Sequence, residues 1–178
     1  MKTASIGIGG EVREWDVQAP LAALEACLRR QIDMRQMDNP LIVGIHTGGV
    51  WVAEWLRKRL GVAEAIGQLN ISFYRDDFSR IGMHPEVRPS RLPNTEDRNI
   101  ILVDDVLYTG RTVRAALNEL FDYGRPRQVV LGVLLDRNGR ELPVQAECAG
   151  ARIELPPGQR IKLTGPEPLR LELFSGGA

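Results

Sequence analysis

An open, mainly parallel α/β sheet is the fold class this sequence predicts, and three observations predict it. Apolar runs at 41–45, 67–74, 100–103 and 128–135 have the length and β-branched content of buried strands. Segments with apolar residues at helical spacing alternate with them. Each glycine-rich or acidic loop follows a strand, the end at which such sheets bind ligands. At 178 residues the chain suits one domain with a core of its own.

The elements follow in order. Residues 20–37 place Leu21, Leu24, Leu28 and Ile32 on one helical face, with Pro20 near the first turn and Asn39-Pro40 as the break. Strand 41–45 leads into His46-Thr47-Gly48-Gly49. A helix over 50–60 puts Val52, Trp55, Leu56 and Leu60 on one face, and Gly61 ends it. Trp51 and Trp55, one turn apart, read as packing residues. Strand 67–74 opens a polar stretch, 75–98, holding five arginines, five acids and Pro85, Pro89 and Pro93. A stretch of that length inside a compact domain is disordered or functional, and His84 within it reads as solvated. Strand 100–103 stops at Asp104 and Asp105; a loop closes on Thr109, Gly110 and Thr112, and Val113, Leu117 and Leu120 mark a helix. Strand 128–135 runs into the turn Asp136-Arg137-Asn138-Gly139-Arg140. Beyond Gly150, prolines and glycines cut the chain into small strands that suit one side of the sheet.

Composition narrows the classes. Hydrophobic residues make up 43% and charged residues 26%, as in soluble globular proteins. No apolar stretch approaches the ~20 residues that span a bilayer. The N-terminus lacks an apolar signal core, so a cytoplasmic protein with no membrane association is expected. Cys27 and Cys148 lie far apart and outside metal-ligand spacing, which reads as two reduced structural thiols. The 23 basic and 23 acidic residues cancel. A protein gripping nucleic acid over its whole surface would be more basic, so RNA binding would need a local patch or two paired subunits.

Segment 100–113 carries the chemistry. A strand, a loop rich in hydroxyls and a helix start place backbone N–H groups where the helix dipole favours a phosphate. Asp104 and Asp105 stand one loop earlier, in reach of a neutral, hydroxyl-bearing group. A phosphorylated ribose fits both halves. The spacing is not that of a nucleoside-triphosphate P-loop. Gly7-Ile8-Gly9-Gly10 is not a dinucleotide fingerprint, since Val12 stands at the final glycine position.

The run Asp104-Asp105-Val106-Leu107-Tyr108-Thr109-Gly110-Arg111-Thr112-Val113-Arg114 resembles the phosphoribosyl-pyrophosphate (PRPP) loop of type I phosphoribosyltransferases. Its wording is similar to that of the PyrR family, pyrimidine-operon regulators that can also be uracil phosphoribosyltransferases. Tyr74-Arg75-Asp76-Asp77 matches the family's Tyr-Arg-Asp-Asp, and Asp136-Arg137-Asn138-Gly139-Arg140-Glu141-Leu142-Pro143 resembles its Asp-Arg-Gly-His-Arg-Glu-Leu-Pro. The resemblance covers about residues 15–148. It implies the type I phosphoribosyltransferase fold over a single domain, 1–178: an open, mainly parallel sheet flanked by helices, with a core over about 38–136. A flexible flap over about 75–98 and a small hood from the N-terminal residues and 137–178 complete it. It also implies PRPP, uracil, UMP and UTP as ligands, Mg²⁺ as the companion of PRPP with no metal held by the protein alone, and no organic cofactor. A pyr mRNA leader is the implied RNA partner, and a homodimer or homotetramer the implied assembly.

Phosphoribosyl transfer sets three demands: hold the 5′-phosphate, orient the ribose hydroxyls, and stabilise the departing diphosphate as positive charge builds on the ribose. The resemblance assigns the first to the loop from Tyr108 to Thr112, with Thr109, Gly110 and Arg111 between them, and counts Val106 and Leu107 among the nucleotide-binding residues. Asp104 and Asp105 accept from the ribose hydroxyls and favour the oxocarbenium-like transition state. Thr47, Gly48 and Gly49 form the diphosphate loop, with Arg75 from the flap as a further diphosphate contact. Arg137 covers the base or contacts nucleotide phosphate, and Arg137 and Arg140 are also candidates for an RNA-facing surface; Asn138-Gly139 suits a plain tight turn equally. Tyr108 stands where some purine-specific relatives carry an acid, which points to a pyrimidine.

One loop departs from the family. Active members typically read Lys-Thr-Arg-Gly where this chain has His46-Thr47-Gly48-Gly49. Each lost charged hydrogen bond is worth about 1.5–3 kcal/mol, so weak or absent transferase activity is expected. Three readings stay open: a uracil phosphoribosyltransferase, an RNA-binding regulator sensing uridine nucleotides, and a non-catalytic nucleotide sensor acting through a protein partner or DNA.

Overall fold

The computed structural model describes residues 12–71 and 89–175. Tyr74, Arg75, His84 and most of the expected flap therefore lie outside the described residues, as does the Gly7 to Gly10 run. In chain order the elements are β1 (Val12–Trp15), α1 (Gln18–Met34), β2 (Leu41–Ile45), α2 (Gly48–Leu60), β3 (Gly67–Leu69) and β4 (Asn99–Leu107). There follow α3 (Arg111–Asp122), β5 (Gln128–Arg137), β6 (Cys148–Ile153), β7 (Gln159–Thr164) and β8 (Arg170–Ser175).

Five strands pair in the order β3-β2-β4-β5-β6, every pairing parallel. This is the predicted fold class. All five residues of β2 are buried, as is usual when a parallel sheet is covered on both faces. On one face α1 and α2 bury Leu21, Leu24, Leu28, Val52 and Leu56 against Ile42, Ile101, Val103 and Leu134. On the other, Val113, Ala116 and Leu120 of α3 pack on Leu41, Val43, Ile100, Leu102 and Val133. Each fully buried leucine or isoleucine contributes about 1.5–3 kcal/mol. Trp51 and Trp55 pack at the edge of the first cluster, as their spacing predicts.

Several boundaries differ from expectation, and β3 ends at Leu69 rather than 74. α1 starts two residues earlier, where Asp16 Oδ1 accepts the Gln18 N–H at 2.9 Å, and ends at Met34 because Gln36 takes a positive φ of 50°. β5 is followed by a further parallel strand, β6, so the sheet does not close at 135. The small strands beyond it do form a separate sheet: β7 and β8 join β1 antiparallel in the order β1-β8-β7. Leu163 and Leu171 of that sheet enter the core on the α1–α2 face.

The cysteines overturn an expectation. Cys27 and Cys148 are joined by a disulfide with Cα atoms 5.7 Å apart, where two reduced thiols were expected. The cause is tertiary. α1 lies along β6, with the Pro20 carbonyl close beside Gly150 at one end and Arg35 3.8 Å from Glu147 at the other. Cys27 thus falls over Cys148 although 121 residues separate them. Beside it, Glu25 accepts from Arg29 at 2.9 Å and Arg59 at 2.9 Å, tying α1 to α2; these bonds, Arg59 first, hold its carboxyl below the usual glutamate range. Closing a loop of that size restricts the unfolded chain by about 5 kcal/mol in the chain-entropy model, and disulfides typically deliver about 2–4 kcal/mol. Reduction, or Cys27→Ser, is expected to lower the denaturation midpoint accordingly in a urea titration; an unchanged midpoint would show the bridge to be inert.

Candidate functional site

The chain reverses its direction of travel across the sheet between β2 and β4. β2 leads through α2 to β3 on one side, while β4 continues through α3 to β5 on the other. α2 covers one face and α3 the opposite one, so the loops after β2 and β4 part and leave a crevice at the strands' carboxyl ends. The predicted loops after β2, β4 and β5 do converge there.

Close packing sets the β2 side. Gly48 and Gly49 are the first helical residues of α2, two positions before the expected start. A Cβ on Gly49 would lie 2.6 Å from the Val103 carbonyl oxygen, and one on Gly48 only 2.4 Å from Asp105 Oδ2. These glycines let the N-terminus of α2 press onto β4 and the Asp105 carboxylate. Thr47 is exposed at the crevice. The His46 backbone N–H donates to the Leu69 carbonyl at 2.8 Å, and its Nε2 lies 3.1 Å from Gln68 Oε1. Gln68 thus holds the imidazole against β3, a contact that no pattern in the sequence signals.

β4 does not stop at the acids. It runs on to Leu107, with Asp104 opposite Val133, Val106 opposite Leu135 and Leu107 opposite Asp136. The expected stop after 103 fails because β5 extends to Arg137 and offers these residues partners. Successive strand residues turn to opposite faces, so the two acids divide. Asp104 is 2% exposed and its Oδ1 accepts the Asp105 N–H at 2.9 Å. Asp105 is half-buried beside Gly48 and presents its carboxylate to the crevice wall formed by α2.

The loop after β4 is short. Tyr108 is 45% exposed, and Thr109 Oγ1 accepts the Arg111 N–H at 3.3 Å. Gly110 takes φ 93°, a conformation that glycine reaches without Cβ strain, and turns the chain into α3. Arg111 and Thr112 then stand in the first turn, where backbone N–H groups lack intrahelical partners and the dipole favours an anion.

The segment after β5 folds back on this loop. The Arg137 guanidinium lies 4.0 Å over the Tyr108 ring, and among the described residues its buried Nε finds no hydrogen-bond partner. Arg140 donates to the Tyr108 carbonyl and to Asp136 Oδ1. The Glu141 and Leu142 N–H groups both donate to the Thr109 carbonyl at 3.0 Å, and Arg111 pairs with Glu141 at 2.8 Å. Asn138 stands at a bend before Gly139, and its side chain bonds both backbone groups of Leu155. Glu141 and Asp136 were quoted in the motif without a role; their function as struts shows only in three dimensions.

Comparison with known proteins follows this geometry. Residues 19–154 match the family described as phosphoribosyl transferase domain. The chain is 54% identical over 161 residues to the bifunctional protein PyrR of Nitrosococcus oceani, covering 89% of this chain and 91% of that one. It is 54% identical over 153 residues to the protein of the same name from Pseudomonas paraeruginosa, covering 85% and 90%. Among solved structures, a hypoxanthine-guanine phosphoribosyltransferase from Bacillus anthracis superposes with a TM-score of 0.65 at 15% identity, covering 82% and 85%. A purine phosphoribosyltransferase from Pyrococcus horikoshii gives 0.58 at 22%, covering 77% and 82%. These two share the fold. With the type I phosphoribosyltransferase architecture, the loops at its switch point and relatives more than half identical over most of its length, the chain belongs to the PyrR family of phosphoribosyl transferase domain proteins.

Proposed function

We propose that this chain regulates pyrimidine biosynthesis genes by sensing uridine nucleotides in the crevice between β2 and β4, which is also a weakened uracil phosphoribosyltransferase site. The observation that carries the reading is the meeting, at one switch point, of an anion-favouring helix start with the acids of β4. In this reading the loop 108–112 holds the 5′-phosphate, Asp105 serves the ribose hydroxyls with buried Asp104 bracing its backbone, and Arg137 with Tyr108 borders the base. Uracil N1 gives up its proton to the departing diphosphate or to water and bonds to the anomeric carbon as the bond to diphosphate breaks, giving UMP and diphosphate. Diphosphate would leave past Thr47, Gly48 and Gly49, with Arg75 as a further contact.

Mg²⁺ fits as an ion carried in by PRPP. Asp105 offers a hard carboxylate oxygen in the crevice, while among the described residues no group of three or more His, Cys, Asp or Glu side chains could cage a metal. Bound with PRPP, the ion would neutralise diphosphate charge. The weakened activity rests on the diphosphate loop: where a lysine and an arginine would meet the leaving group, this chain offers an imidazole held by Gln68 and the bare backbone of Gly48.

A second reading, a nucleotide sensor acting through a protein partner or DNA, draws support from the arginines. The two offered for an RNA face are engaged within the chain: Arg140 with Asp136, and Arg137 over the Tyr108 ring. A filter-binding titration of a pyr leader transcript separates the two. Retention that weakens steeply with salt supports RNA as the target, and no retention at low salt supports the alternative.

Two further measurements test the site. UMP at a hundred times its dissociation constant is expected to raise the melting temperature by about 5 °C or more, with GMP much less effective; equal shifts would remove the pyrimidine assignment. Steady-state UMP formation from uracil and PRPP should run below about 1 s⁻¹, the low end for enzymes. Ordinary turnover would show that the altered diphosphate loop costs nothing.

A further inference from the structure

We propose that Arg140, with the backbone of Glu141 and Leu142, is the template that aims the amides of the phosphate loop, making Arg140 a positioning residue for phosphate binding. The inference deepens the reading of 108–112 as the 5′-phosphate cradle and rests on it.

Peptide geometry carries it. In a trans peptide the carbonyl of one residue and the N–H of the next lie in one plane and point in opposite directions. Both the Tyr108–Thr109 and Thr109–Gly110 peptides are trans. The Tyr108 carbonyl accepts from Arg140, and the Thr109 carbonyl accepts from the Glu141 and Leu142 N–H groups. Two successive carbonyls therefore face the 140–142 segment, and the N–H groups of Thr109 and Gly110 face away from it. The Gly110 carbonyl is drawn into α3 by the Arg114 N–H at 3.0 Å. Three consecutive oxygens that would repel a phosphate are held off the side from which it approaches, and the donors are left facing it.

Arg140 is built for this task. Its second contact is Asp136 Oδ1 at the end of β5, and Asp136 is the register partner of Leu107 on β4. The guanidinium thus ties the first carbonyl of the loop to a strand end already fixed by the sheet. Its side chain is 27% exposed and that of Asp136 14%, which suits a braced group better than a solvated one. Arg137, stacked on the Tyr108 ring, steadies the same residue from the other end. A lysine could not serve both acceptors through a planar fork.

The test compares UMP with uridine, which lacks the phosphate, by titration calorimetry on the wild type, Arg140→Ala and Arg140→Lys, with melting temperatures taken alongside. Arg140→Ala should bind UMP roughly ten- to hundredfold more weakly, as expected for misplaced but intact binding groups, and uridine within about twofold of the wild type. Arg140→Lys should fall between. A folded Arg140→Ala protein with unchanged UMP affinity would overturn the proposal, and so would equal losses for UMP and uridine, which would mark Arg140 as general packing. If the alanine variant does not fold, the same UMP-to-uridine contrast in Arg140→Lys decides. A wild type that fails to bind UMP removes the cradle reading and this inference together; a wild type that binds it, with variants that match, removes the inference alone.

Discussion

The crevice depends on β4 being hydrogen-bonded along both edges. β2 pairs with it over 100–103 and β5 over 99–107, so the strand reaches past its apolar run and carries two carboxylates into the sheet's carboxyl edge. An acid such as Asp104 is held nearly without solvent only because its surroundings are this regular. Burial of a charge is costly unless hydrogen bonds meet it, and here the backbone of Asp105 supplies one. Remove the pairing beyond Val103 and the acids become the solvated end of a turn.

From that strand the two sides of the site follow by contact. On one, glycines allow the start of α2 to touch β4, which sets Asp105 against Gly48. On the other, the segment after β5 returns over the loop after β4 through Arg137, Arg140 and the amides of 141 and 142. The segment after β5 and the loop after β4 are consequently one hydrogen-bonded unit.

The rest of the molecule supports that centre with weaker and more local devices. Exposed pairs such as Arg111 with Glu141, both about half accessible, contribute about 0–1 kcal/mol each and orient more than they stabilise. The disulfide between α1 and β6 acts differently, since its effect lies mainly in the unfolded chain.

What could be read from sequence was whatever local pattern dictates. Apolar runs bounded by glycine and proline located β2, β4, β5 and both long core-packing helices, and the Asp-Asp and Thr-Gly-Arg-Thr wording located the loop after β4 and the family. Boundaries beyond the apolar runs escaped, because Asp104 to Leu107 become strand only when β5 lies alongside. β1, four residues long, and β6 escaped for the same reason. The pairing of Cys27 with Cys148, the clamp of Gln68 on His46 and the turning of Arg140 inward join residues 22 to 121 positions apart. Periodicity carries no information at such separations. The sequence by itself determined which groups the site would contain; the tertiary structure decided which way each one faces, because orientation is set by neighbours that only folding brings together.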